Sequence, residues 1–166
     1  DEPIPMHVKI TVRHTPEPVI SLDFADTGGP ARWGINSPYS ATAAMVGWIL
    51  RTVLDPTALA SAGFWRAVEM TVPEGCLLNA RSPSPVGARS EVCAILPDLL
   101  LAALQPAVKG KVIAGSHGVH GMGFSNQRAP NFIYYETVAG GGGAGETKDG
   151  IDGIWWASNL PIEAME

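Results

Sequence analysis

Charge is what this chain has least of. Only 16% of its 166 residues are Asp, Glu, Lys or Arg, against about a quarter in an average soluble domain. Hydrophobic residues make up 46%. So few charges on so many apolar residues imply that part of the surface is meant to be covered, although Gly and Ala enrichment also dilutes charge without creating a patch. The cations stand singly and the net charge is −5. With no basic run to meet phosphates, nucleic acid is excluded as a partner. Long apolar runs are missing as well. The longest, around 99–104, is far too short to span a bilayer, so no membrane partner is expected.

Cysteine is scarce too. Cys76 stands beside a Pro-Glu-Gly turn and Cys93 on a predicted helix. Two isolated cysteines make no disulfide framework; reduced buried thiols in a cytoplasmic protein are expected. The opening DEPIPMHVKI is acidic, contains proline and lacks the pattern of a signal peptide. It also lacks an initial Met, as expected of a processed, cut or excerpted chain. No Gly-x-Ser-x-Gly elbow and no Cys/His pair in a nucleophile context is present.

What is present reads as an α+β fold with mixed or antiparallel sheets and two main helices, at about 41–54 and 90–105. HVKITVR at 7–13 alternates apolar and polar residues, and VISLDF at 19–24 repeats the pattern after Thr-Pro-Glu-Pro, which predicts a hairpin. Asn36-Ser37-Pro38 sets up a helix start, with Ser37 as cap and Pro38 in the first turn. From 41 to 54 the pairs Met45/Val46, Ile49/Leu50 and Val53/Leu54 recur every four positions, a helical stripe. A strand at 67–72 runs into the turn Pro73-Glu74-Gly75, and a Ser/Pro-rich connector follows. In the second helical stretch Pro97 either kinks the helix or opens it, with Asp98 in the first turn. NFIYYETV at 131–138 is a clear strand. No internal repeat or long linker divides the chain, so one domain over 1–166 is expected.

The most conspicuous chemical feature is the run Gly140, Gly141, Gly142 and Gly143 after that strand. Glycines admit positive φ and let backbone N–H groups approach a ligand. Neither the Lys-Ser/Thr of a phosphate loop nor the helix of a dinucleotide fold follows. A tight loop permitting close strand packing and a backbone-lined substrate loop both remain open. Glu136 precedes the run and Asp149 ends the loop. Two carboxylates bracketing a glycine loop suit a general base and a substrate anchor, or else a turn-stabilising residue and plain Asp-Gly turn chemistry. His117 and His120, in GSHGVHGMG, have metal-ligand spacing but no nearby third ligand; they are a weak alternative, and no metal site is expected.

Five stretches, in order, resemble the hydantoinase B/oxoprolinase family. They are DFADTGG at 23–29, GINSPYSAT at 34–42, VPEGCLLNARSP at 72–83, YYETVAGGGGAGETKDG at 134–150 and NLPIEAME at 159–166. Each alone is ordinary, but five in the same order and spacing are specific. The family's pattern is departed from at Ser61 and Arg89, where Asn is usual, and at Gly145, where Arg is usual.

The resemblance implies the middle part of a longer hydantoinase B-like chain, a component of an ATP-dependent amidohydrolase opening cyclic amides. It also implies a hydantoinase A-like partner that uses ATP to activate a lactam or enol oxygen, together with the remaining hydantoinase B-like segments. Asn36 and Gly140 to Gly143 are then expected at the substrate, with Glu136 and Asp149 catalytic. No cofactor is expected in this chain; ATP, Mg and a divalent metal are implied for the parent complex. Because the family's metal-linked His and Asp motifs lie upstream of the matched region, this chain is expected not to catalyse alone. A component of an ATP-dependent ketone carboxylase, a non-catalytic structural subunit and a stand-alone binding module are the other readings.

Overall fold

A computed structural model describes residues 2–14, 16–17, 19–116, 120–126, 131–138 and 140–153; for 120–122 and 137–138 only the backbone course is described. The chain divides into two compact units, Asp1–Val112 and Ile113–Glu166.

The first unit joins a three-stranded sheet to two helices. Strand β1 (Lys9–Arg13) pairs antiparallel with β2 (Val19–Asp23), with Ile10 opposite Leu22, and β2 pairs parallel with β3 (Val68–Thr71). The sheet is therefore mixed, in order β1-β2-β3. The predicted hairpin is present, although β1 is more exposed than a half-buried strand should be. An edge strand has one neighbour, and it is Leu22 of the central β2 that enters the core.

Helix α1 (Tyr39–Leu54) buries Val46, Ile49, Leu50 and Val53, the stripe evident in the sequence. Its N-terminus differs from expectation. Pro38, extended at φ −70° and ψ 153°, is the N-cap and no side chain caps the helix. Ser37 is fully buried instead, and its hydroxyl accepts a hydrogen bond from Thr42 Oγ1 at 3.1 Å. A hydroxyl occupied inside the core is not turned toward the helix N–H groups. Gly47 admits an aromatic neighbour: a Cβ there would stand 3.0 Å from the Trp65 ring.

Helix α2 (Arg89–Leu104) is continuous through Pro97, which is fully buried. The reading in which Pro97 opens the helix is thereby overturned. The ring removes the donor that would meet the Cys93 carbonyl, and burial of Val92, Leu96, Leu100, Leu101 and Leu104 holds the helix together across the gap. The turn at 73–75 forms as expected, with Gly75 at φ +81° and the Asn79 side chain donating to the Val72 carbonyl at 3.0 Å.

The second unit holds an antiparallel pair, β4 (His120–Asn126) and β5 (Phe132–Val138), with Phe124 opposite Tyr134. Isolated bridges join Ile113 to Gly145 and Gly142 to Ile151. Among the described residues, no helix is long and apolar enough to cross a membrane.

Candidate functional site

Strand β5 fixes the backbone of Glu136, opposite Met122 in the register. Two residues earlier on the same face, Tyr134 donates its phenol proton to Glu136 Oε2 at 2.7 Å. This contact orients a partly exposed carboxylate, as a positioned proton acceptor requires. Asp149 is exposed in the turn that follows the glycine run, where Gly145 N–H meets the Lys148 carbonyl at 2.9 Å. No hydrogen bond joins Glu136 to Asp149 among the described residues.

The glycine run is a packed loop. Gly142 exchanges both backbone hydrogen bonds with Ile151, at 2.8 and 3.1 Å, and Gly143 N–H donates to Ser116 Oγ at 3.1 Å. A Cβ on Gly143 would fall 1.9 Å from the Ala114 carbonyl oxygen, and one on Gly150 would fall 2.4 Å from that of Gly142. Neither Gly142 nor Gly143 takes positive φ. Gly143 and Gly150 require glycine because backbones approach closely there, and two of the run's amides already have protein acceptors. Gly141 is similar, its Cβ position 3.0 Å from the Ile151 carbonyl.

Asn36 is placed in the first unit with no side-chain exposure. Its Oδ1 accepts from Ala31 N–H at 2.6 Å, and its amide donates to the carbonyls of Ala31, Trp33 and Pro85 at 2.8–3.0 Å. The side chain thus ties the 31–36 loop to the Ser/Pro connector and is shielded from solvent. The sequence pattern marks the residue as special; its work is to join loops.

His117 and the side chain of His120 lie outside the described residues, as do Trp155, Trp156 and residues 159–166. Both cysteines are free, Cys76 buried and Cys93 half-buried. Burial pushes the Cys93 thiol up, opposed by a hydrogen bond with Ser37 and the charge of Arg89, so it is protonated and a weak nucleophile at neutral pH.

A further feature is not evident from the sequence. The first unit carries a half-open apolar cleft of about 420 Å³, with Val92 and Leu77 at its floor and Trp33 and Ile95 at its rim. The sequence signal is slight: Trp33 sits in a loop between breakers, and Ile95 merges with the apolar content of its helix.

The family model described as hydantoinase B/oxoprolinase matches residues 1–166. A candidate D-/L-hydantoinase component of the B type, from Pseudomonas sp. (strain NS671), is 31% identical over 80% of this chain and 24% of its own length. 5-oxoprolinase 1 of Arabidopsis thaliana is 28% identical over 90% of this chain and 11% of its own. Among solved structures, nucleotide-free acetone carboxylase aligns over 90% of this chain and 21% of that chain, with TM-score 0.67 and 19% identity. The ATP-dependent caprolactamase of Pseudomonas jessenii aligns over 88% and 26%, with TM-score 0.65 and 22% identity. These two likenesses establish a shared fold. The chain spans between a tenth and about a quarter of the length of these relatives.

Proposed function

The chain belongs to the hydantoinase B/oxoprolinase family, and on that footing we propose that it is one component of an ATP-dependent enzyme that opens cyclic amides. A hydantoinase A-like subunit and further hydantoinase B-like segments complete that enzyme. The observation that carries this reading is the family match across residues 1–166. ATP serves the complex by phosphorylating the amide oxygen, which makes the carbonyl carbon open to water. Within this chain Glu136 is the proposed proton acceptor, oriented by Tyr134, and Asp149 the proposed substrate anchor. The glycine run shapes the loop that presents them.

The structural-subunit reading is favoured by one specific observation. Asn36 and the amides of Gly142 and Gly143 are engaged by the protein's own groups, so these motif positions serve the fold. Native purification tests the assignment, and Glu136→Ala in the purified complex separates the two readings. Native purification through this chain should bring down a hydantoinase A-like partner, and the complex should open a cyclic amide such as 5-oxoproline only with ATP and Mg. A complex with extra small subunits that carboxylates a ketone would move the assignment to the carboxylase branch. Robust ring opening by the isolated chain would overturn it.

A further inference from the structure

We infer that the cleft of the first unit is a binding site for a compact apolar molecule carrying one anionic group. Its volume of about 420 Å³ falls among ligand sites, which run from about 300 to 1,000 Å³ and are mostly apolar with a few polar groups. The floor is sealed: Leu77 and Val92 are each only 3% exposed. The rim is open, with Trp33 64% and Ile95 54% exposed. An indole standing that far into water above a sealed apolar floor offers a flat face that a ring or short aliphatic chain would cover.

Two charged residues line the cleft, Arg32 and Glu2. Arg32 has no ion-pair partner among the described residues, where the ion pairs are His7–Asp26, Arg13–Glu69 and Arg81–Glu74. A guanidinium beside an apolar wall pairs with a carboxylate in a forked geometry. Glu2 sets the limit on charge: one anionic group is matched by Arg32, while a second is opposed by Glu2. This inference is independent of the cyclic-amide reading, because it concerns residues that reading leaves unused.

The test is an NMR titration of the full 166-residue chain with 1-naphthoate and, in parallel, with the neutral 1-naphthalenemethanol. Both should give saturable shifts at the Trp33 indole N–H and at the Ile95 amide, with a Kd near ~1 mM for so small a probe. Ile95→Asp should weaken both probes at least about ten-fold, since it places a charge on the apolar rim. Arg32→Ala should weaken naphthoate alone by about two- to five-fold, and Glu2→Gln should tighten it, as expected for exposed charge pairs. All three positions are partly or fully exposed, so the variants should keep the dispersed spectrum of the parent; Trp33→Ala replaces Ile95→Asp if that variant unfolds. Absence of saturable shifts, or shifts that leave Trp33 and Ile95 unmoved, would overturn the site. Equal effects of Arg32→Ala on both probes would overturn the anionic class. A dimer in sedimentation whose dissociation is needed before naphthoate binds would show the cleft to be a contact between copies instead.

Discussion

The two units are held together in different ways. In the first, Leu22, Phe24, Val46, Leu50, Leu78, Leu96 and Leu100 are at most 1% exposed, a core contributed by sheet and helices alike. In the second, none of the described residues is buried. Phe124, Phe132, Tyr134 and Tyr135 are exposed, Ile133 is 85% exposed, and order comes from strand pairing and the interlocked glycine backbones. A two-stranded hairpin alone is marginal in water. Among the described residues the buried core therefore lies in the first unit, and the carboxylates proposed for chemistry lie in the second.

Truncating the two units tests that contrast most strongly. Phe24→Ala removes a side chain with no exposure and should lower stability in urea unfolding by about 3–5 kcal/mol. Tyr135→Ala, at a site 70% exposed, should change it by less than about 0.5 kcal/mol. A loss at Tyr135 approaching that at Phe24 would break the comparison. Next in size is Asn36→Ala, which strands four backbone partners and should cost about 3 kcal/mol in the same assay.

Gly143→Ala sharpens the contrast from the other side. Its Cβ collides with the Ala114 carbonyl, so amide exchange should accelerate at Ala114, whose N–H is held by Ala144 at 2.8 Å, while α1 and α2 keep their protection. The smallest effect is electrostatic. The Glu69 carboxyl is held below its ordinary value of 4.5 by the Ser21 hydroxyl first, with the Arg13 charge also lowering it. A carboxyl depressed in the folded state stabilises fully above its unfolded value and loses that contribution as pH falls through the folded one. Glu69→Gln should thus lower the thermal midpoint slightly at about pH 7, with the difference from the parent shrinking as pH falls below about 4.5.

Much of the first unit was legible because its elements announce themselves. The four-residue recurrence through Val46, Leu50 and Val53 marked α1, and the Pro-Glu-Gly turn at 73–75 marked the end of β3. Ser37 misled because capping preference concerns local chemistry, while a bond to Thr42 across the core is tertiary. Pro97 was ambiguous for the same reason: local rules disfavour proline within a helix, and only the packing of Leu96 and Leu100 shows why it is tolerated. In the candidate site, the strand before the glycines and the place of Glu136 on it were readable. What the glycines do was not, because close approach to Ala114 and Ile151 joins segments distant in sequence. Asn36 stood out in the pattern, yet whether an asparagine faces a substrate or three carbonyls depends on burial, which no motif states.

The most direct measurement is ATP-dependent cyclic-amide turnover by the reconstituted complex carrying Glu136→Ala, scored beside its assembly and thermal midpoint. A proton acceptor in the second unit predicts turnover lowered by about 100-fold or more, with assembly and stability unchanged and a smaller loss for Asp149→Ala. Normal turnover in a normally assembled Glu136→Ala complex would contradict it and leave this chain a structural part of the enzyme.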